Sequence, residues 1–553
     1  MNRKKSRLSP VGPALDRRRF MIEAGKTVAA GALVSCPLGR AFASLPAAPE
    51  NTPGAKPDLA TDPRRPQFHL LPASNWMNDP NGPIYWKGRY HMFFQYNPHA
   101  AVWGDMHWYH SVSPDMVHWK HLPVALAPTP GGPDSEGCFS GTCVVHNGVP
   151  TFIYTGVQTV PPDKAATEAT LRDGHNDFRE TQLYATSTDP ELRTWTKRAA
   201  PVIARPPAGL EITGFRDPAP WKEGDTWYLA VGSGIKGKGG AILLYKSADL
   251  ENWDYLHFLY SHDTATSTAA SGVNNPVDSG DMWECPDFFP LGDKHVLFYS
   301  TQGKVLWHTG TFDKQALVFH PEQSGILDHG SFYAPKTQLD KAGNRILWGW
   351  IPETRPVAEY SASGWAGLMS LPRVLTLGPD NRLRIAVDTA VEKLRQHEQK
   401  LTLSPIKAGA KEMISNTTLK GACGELLCTI KPGGEPFTVD LLSPSNPGDK
   451  EATTTQPSFL SIRYSHANPK ELIVDTQRLP ITLSANEPIE MHFYIDGSVI
   501  ELIVNNQSAI TKRFDYPGPT APEIAVNFTG KSEDVSRLSL WQLTPISKNR
   551  LTT

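Results

Sequence analysis

The chain has 553 residues, a formal net charge of −2 and a pI near 6.8, and charged residues make up only 20% of it. That length holds two or more domains with real cores, and the even charge balance argues against a nucleic acid or an anionic membrane surface as partner. With 44 Gly and 49 Pro, the composition suits a turn-rich β protein and excludes a mainly helical one.

The amino terminus reads as an export segment. Asp16-Arg17-Arg18-Arg19-Phe20-Met21 resembles a twin-arginine motif, and the apolar run from Thr27 to Ser35 is too short to span a bilayer. Residues 1–43 form the expected signal segment, with cleavage after Ala41-Phe42-Ala43 releasing a periplasmic or extracellular protein. The alternative is a lipobox at Leu33-Val34-Ser35-Cys36, which would tether the chain to a membrane through a lipidated Cys36. An Ala/Pro-rich linker follows over 44–65. Without Cys36 five cysteines remain, an odd number with no zinc-finger spacing. Cys423 and Cys428 could bridge, and Cys138, Cys143 and Cys285 read as buried thiols.

Short strands and turns fill 66–378. Trp76-Met77-Asn78-Asp79-Pro80-Asn81-Gly82 predicts a tight turn, because Pro fixes φ and Asn-Gly tolerates positive φ. It holds a carboxylate beside Trp76 and opens onto a hairpin of Pro83–Trp86 and Tyr90–Phe94. Further on, Ser113-Pro114-Asp115-Met116-Val117-His118-Trp119 recurs as Ser247-Ala248-Asp249-Leu250-Glu251-Asn252-Trp253, with a looser copy at Ser187-Thr188-Asp189, Leu192 and Trp195. Each copy follows an apolar strand, and the spacing is that of a propeller blade; 66–378 then holds about five blades. Of the 15 Trp, all but Trp541 lie between Trp76 and Trp365, which suits stacking on sugar rings or aromatic blade cores.

A propeller brings the innermost strand of every blade to one axis, so acids far apart in sequence can meet there. Two more carboxylates sit in unusual contexts, in Phe215-Arg216-Asp217-Pro218 and Trp283-Glu284-Cys285-Pro286-Asp287. Glycoside hydrolysis needs one ionised carboxylate and one protonated partner. Glu284, flanked by Trp283, Cys285 and Pro286, is the better candidate for the protonated acid, and Asp79 near turn amides for the ionised one. Asp217 beside Arg216 should stay ionised and could hydrogen-bond sugar hydroxyls as charge develops.

Over 379–400 the period changes, and Val387, Val391 and Leu394 predict an amphipathic linking helix from Ala386 to Lys400. Six or more strands follow within 401–547, among them Phe437–Leu441, Phe459–Tyr464, Ile489–Ile495 and Val499–Val504, with a hairpin turn at Asp496-Gly497-Ser498. These predict a β-sandwich.

Taken jointly, the motifs resemble glycoside hydrolase family 32, the β-fructofuranosidases (invertases, levanases, inulinases), from about Asn75 to Arg373 and more weakly to Trp541. The resemblance implies an all-β fold, a five-bladed β-propeller followed by a C-terminal β-sandwich. It implies a retaining, exo-acting hydrolase that releases fructose from sucrose, levan or inulin through a fructosyl-enzyme. Asp79 would be the nucleophile, Glu284 the general acid/base and Asp217 the transition-state stabiliser. Asn78, Gln95, Trp103, Phe139, Ser140, Arg216, Tyr333 and Trp350 would bind substrate. Asp496 to Glu501 resembles the family's sandwich hairpin, whose acids read as structural. Tyr109 stands where the family usually has a glycine, and would narrow a subsite or repack a strand. No cofactor or metal is expected, since His107/His110 and His118/His121 are i, i+3 pairs that point to opposite faces of a strand. The expected partner is a small or polymeric fructoside. A fructosyltransferase using the same carboxylates is the alternative, and a non-catalytic fructan-binding propeller would not need acids in three blades.

Overall fold

The computed structural model describes residues 58–172, 176–263, 280–400, 406–408, 411–431, 436–442, 458–464, 468–514 and 524–553. The export motif, the lipobox and most of the 44–65 linker lie outside them. Among the described residues the strands form seven sheets. Five are four- or five-stranded and follow one another in sequence. Their first strands are Asn75–Trp86, Gly137–His146, Ile212–Glu223, Glu284–Leu291 and Tyr333–Leu339. Each of these strands packs on the next and the fifth packs on the first, which makes a five-bladed propeller. The ring is closed by Trp365–Ala366, which pairs in parallel with Asn75 and Trp76 of blade 1.

The repeated Ser-x-Asp motif explains the blade corners. In all three copies the Asp side chain accepts backbone N–H groups two to four residues on: Asp115 from Val117 and His118, Asp189 from Glu191 and Arg193, Asp249 from Glu251 and Asn252. The Trp that ends each copy donates its indole N–H to Met116, Leu192 or Leu250, and each of those residues has positive φ. The motif is thus one capped corner used three times between the third and fourth strands. A fourth version at Asp313, which accepts from Gln315 and Ala316, lacks the Ser and Trp and escaped the pattern. Most tryptophans serve blade cores, for example Trp108, Trp221, Trp283, Trp307 and Trp348.

Two local expectations are corrected. The tight turn at Asp79–Gly82 is instead the middle of the 12-residue strand Asn75–Trp86, which slips register at two points. Pro80 and Asn81-Gly82 interrupt the ladder, and a bulge absorbs the interruption without ending the strand. Gly82, at φ +45°, also lets blade 1 touch blade 2, because a Cβ there would fall 2.7 Å from Cys143 Cβ. The hairpin itself is present, turning at Lys87-Gly88 with both residues at positive φ. The linking helix of 386–400 is the second correction. Leu383–Val387 is the last strand of blade 5, Thr389–Leu394 is a 3₁₀ turn capped by the Asp388 side chain, and Arg395–Lys400 is a strand of the next module. This short segment suffices to bury Val391 and Leu394, so no longer helix is required.

The remaining two sheets, of six and seven strands, face each other across a core that includes Leu426, Phe493 and Leu502 on one side and Val439, Ile462 and Val526 on the other. This is the expected sandwich. Cys423 and Cys428 do not bridge; the five described cysteines are buried thiols outside any disulfide. Both lie on the strand Cys423–Ile430, where five residues span roughly 16 Å and place the two side chains on opposite faces.

The two modules are joined by buried charge. Asp496 accepts the backbone N–H of Gln67, Phe68 and His69 and the His69 Nδ1 at 2.8 Å. His69 Nε2 meets Glu501 at 3.0 Å, and Arg373 donates to Glu501 at 3.0 and 2.6 Å and to Asp328 at 2.9 Å. The acids of the Asp496–Glu501 hairpin are therefore structural.

Candidate active site

Every innermost propeller strand carries the same irregularity. Register slips between Met77 and Pro80, Cys138 and Gly141, Arg216 and Ala219, Glu284 and Asp287, and Tyr333 and Lys336. At each point two residues oppose one on the neighbouring strand, which is a β-bulge, and such bulges re-aim side chains at barrel and propeller rims. Four contain an X-Pro step, since Pro has no N–H for the ladder: Asp79-Pro80, Asp217-Pro218, Cys285-Pro286 and Ala334-Pro335. Asp217, Cys285 and Ala334 have φ of 64, 49 and 51°, a strained region for residues other than Gly. The five bulges deliver Asn78 and Asp79, Phe139 and Ser140, Arg216 and Asp217, Glu284 and Cys285, and Tyr333 toward the propeller axis.

Asp79 is buried and takes hydrogen bonds from both sides. Ser140 Oγ donates to its Oδ2 at 2.5 Å and Asn78 Nδ2 lies 3.1 Å from its Oδ1. Asn78 in turn donates to Gln95 Oε1 at 2.5 Å and accepts from Trp76 Nε1 at 2.8 Å, while Gln95 Nε2 donates to Ser140 at 2.9 Å. Asp217 is fixed by Thr155, whose hydroxyl accepts the Asp217 N–H, and by the Cys285 N–H, which donates to Asp217 Oδ2 at 2.9 Å. The Cys285 sulfur lies 3.4 Å from Asp79 Oδ2 and 3.4 Å from Asp217 Oδ2. One thiol thus touches two carboxylates that are 138 positions apart in sequence.

Glu284, next to Cys285, is held from the other side. Arg216 donates to its Oε1 at 3.2 and 2.8 Å, and Tyr333 OH donates to its Oε2 at 2.8 Å. Arg216 also pairs with Glu180 at 2.9 Å. Burial works against the Arg216 charge, but the Glu180, Glu284 and Asp217 carboxylates outweigh it and hold the guanidinium well above its ordinary value.

Trp283 stacks on Tyr260 and Tyr299 inside the blade. Arg216 bonds Glu180 and Glu284 and also feels the charge of its neighbour Asp217. Of the remaining candidates, Phe139 lies edge-on to Trp103 at 6.0 Å and Trp350 edge-on to Trp76 at 5.9 Å. The buried indole N–H groups of Trp103 and Trp350 have no hydrogen-bond partner. Tyr109 lies away from the carboxylates, stacked on Tyr96 at 4.6 Å and packed on Phe94 and His121; it repacks a strand. Glu180, Thr155 and the role of Cys285 were not legible beforehand. Glu180 has no local motif, and Cys285 reads in the sequence as a buried thiol flanking Glu284, while its reach to two aspartates depends on the bulge.

Models of known families match nearly the whole of this region and the sandwich behind it. "Glycosyl hydrolases family 32 N-terminal domain" matches residues 69–388 and "Glycosyl hydrolases family 32 C terminal" matches 390–542. A sucrose-6-phosphate hydrolase of Escherichia coli is 34% identical over 506 residues, covering 86% of this chain and 94% of that protein. A raffinose invertase of Escherichia coli is 33% identical, covering 87% and 95%. Among solved structures, fructan 1-exohydrolase IIa from Cichorium intybus superposes with a TM-score of 0.68 at 27% identity, over 87% of this chain and 98% of that one.

Proposed function

Because this chain belongs to glycosyl hydrolase family 32, we propose that its three bulge carboxylates divide the family's reaction among themselves. The chain is a glycosidase acting on fructosides: it releases fructose from sucrose or fructans by hydrolysis, and net retention is general to the family. In our reading an Asp79 carboxylate oxygen bonds to the anomeric carbon of the terminal fructosyl unit as the glycosidic C–O bond breaks. Glu284 gives its proton to the departing oxygen. It then takes a proton from water, which attacks the same carbon, frees fructose and restores Asp79. Asp217, pinned by the Cys285 N–H, holds sugar hydroxyls while positive charge builds on the ring. Trp103 and Trp350 offer their free indole N–H groups to the sugar, and Asn78, Gln95, Phe139, Ser140, Arg216 and Tyr333 shape its pocket. The observation that carries this reading is the pair of 3.4 Å contacts from Cys285 to Asp79 and Asp217, with Glu284 as its covalent neighbour.

The test is leaving-group dependence. With Glu284→Ala, kcat/KM for sucrose should fall about 10²–10⁴-fold, while an aryl fructoside with an acidic phenol, which leaves without a proton, should keep most of its kcat/KM; its kcat should still fall, because the water step has lost its base. Equal losses of kcat/KM on both substrates would remove Glu284 from the role of acid.

The same reading extends to the cell. The Arg17-Arg18-Arg19 motif and the short apolar run after it support export through a twin-arginine route. Replacing Arg17 and Arg18 by Lys should leave the activity in the cytoplasmic fraction; unchanged export of that variant would argue against the route.

A further inference from the structure

Glu180 lies on Asp177–Thr186, the third strand of the blade 2 sheet, and is fully buried. A buried carboxylate is stable only where its oxygens are met, and here both are. Oε1 takes the Arg216 guanidinium at 2.9 Å; Oε2 takes the Phe215 N–H at 2.7 Å and the Thr170 hydroxyl at 3.1 Å. Gln182, two residues on and so on the same face of the strand, repeats the grip. Its Nε2 donates to the Phe215 carbonyl at 2.9 Å, and its Oε1 accepts from Thr155, whose hydroxyl takes the Asp217 N–H. One strand face of blade 2 therefore holds the blade 3 bulge from Phe215 to Asp217.

An amide makes a plain fastening, as Gln182 shows. What Glu180 adds is charge. Arg216 turns its Nε and one terminal nitrogen to Glu284 Oε1, at 3.2 and 2.8 Å, and its other terminal nitrogen to Glu180. Facing Glu284 alone, a buried guanidinium would favour the carboxylate form of that acid, whereas a leaving oxygen needs the protonated form. Glu284 is also faced by Tyr333 of blade 5, whose hydroxyl donates to Oε2, and across its neighbour Cys285 by Asp217 and Asp79. A second carboxylate on the far side of the guanidinium offsets the cation in an interior where charges are felt strongly.

We propose that Glu180 is a positioning residue for the acid step: by sharing Arg216 with Glu284 it keeps the guanidinium aligned without letting that charge strip Glu284 of its proton. The assignment rests on Glu284 being the acid of the reaction above. The test is the pH profile of kcat/KM, which reports the free enzyme, on sucrose and on the aryl fructoside with an acidic phenol. In wild type the sucrose profile should carry an alkaline limb, where Glu284 loses its proton, that the aryl profile lacks. Glu180→Gln keeps the shape and removes the charge, and its sucrose limb should move about one pH unit to lower pH. Glu180→Asp keeps the charge but draws it back by one methylene, and should move the limb the same way by less; it is the deciding variant if the amide protein does not fold. A limb that stays in place in the folded variants, or moves to higher pH, would leave Glu180 a fastening only and overturn the proposal. A wild-type aryl profile with the same alkaline limb as sucrose would instead bring down the acid role of Glu284, and this assignment with it.

Discussion

Asp79→Asn should abolish turnover of every β-fructoside, with kcat/KM down by at least about 10⁴-fold, while the protein stays folded. The substitution keeps the shape, and the Ser140 hydroxyl at 2.5 Å can turn from donor to acceptor to meet the new amide. What is lost is the nucleophile: an amide does not form the covalent fructosyl ester, and no other carboxylate is held where Ser140 and Asn78 hold this one. The loss should be independent of leaving group, unlike that of Glu284→Ala, because bond formation to the anomeric carbon is common to all substrates. Sucrose, inulin and an activated aryl fructoside are the three assays, with thermal unfolding as the control for folding. Substantial activity of the variant on any of them would mean that another group attacks the sugar.

Arg373→Met should cost about 3–5 kcal/mol of stability, the largest loss expected outside the site. Arg373 is fully buried and is the shared partner of Glu501 and Asp328, themselves fully buried. Removing it takes from both carboxylates the ion pair that holds them, leaving His69 against Glu501 and the Lys304 charge near Asp328. The same cluster sets a pH window. Burial alone would push the His69 imidazole down, but hydrogen bonds and charge from Asp496 and Glu501 raise it to about 9 from an ordinary 6.5. Burial would push Glu501 up, but the Arg373 charge and then the His69 contact bring it to about 2 from 4.5. A raised imidazole stabilises fully below pH 6.5 and loses that contribution as pH climbs through 9. A depressed carboxyl stabilises above pH 4.5 and loses its contribution as pH falls toward 2. This cluster therefore supports the joint between propeller and sandwich best between about pH 4.5 and 6.5, and calorimetry across pH should show its part of the stability decline on both sides. A His69→Gln variant should flatten the alkaline side of the curve. An unchanged alkaline limb in that variant, or an Arg373→Met protein as stable as wild type, would show that the joint does not depend on these charges.

The acids of the site could be found from their own local chemistry. A carboxylate before a proline in an apolar strand stands out at Asp79 and Asp217, and Glu284-Cys285-Pro286 is a one-residue variant of the same pattern. The repeated Ser-x-Asp corner likewise exposed the blades, because a capped corner needs its cap within a few residues.

What sequence alone determined, then, is which residues are chemically out of place in a β protein and how often the corner recurs. The tertiary structure decided how those residues face one another. Only the closed ring gathers five bulges, four of them at an X-Pro step, around one axis, sends Arg216 to Glu180 and Glu284, and puts one sulfur against two distant aspartates. The reason is geometric: on a strand, successive side chains diverge, so partnership across a propeller is set by the angle between blades, and no run of neighbouring letters encodes that angle.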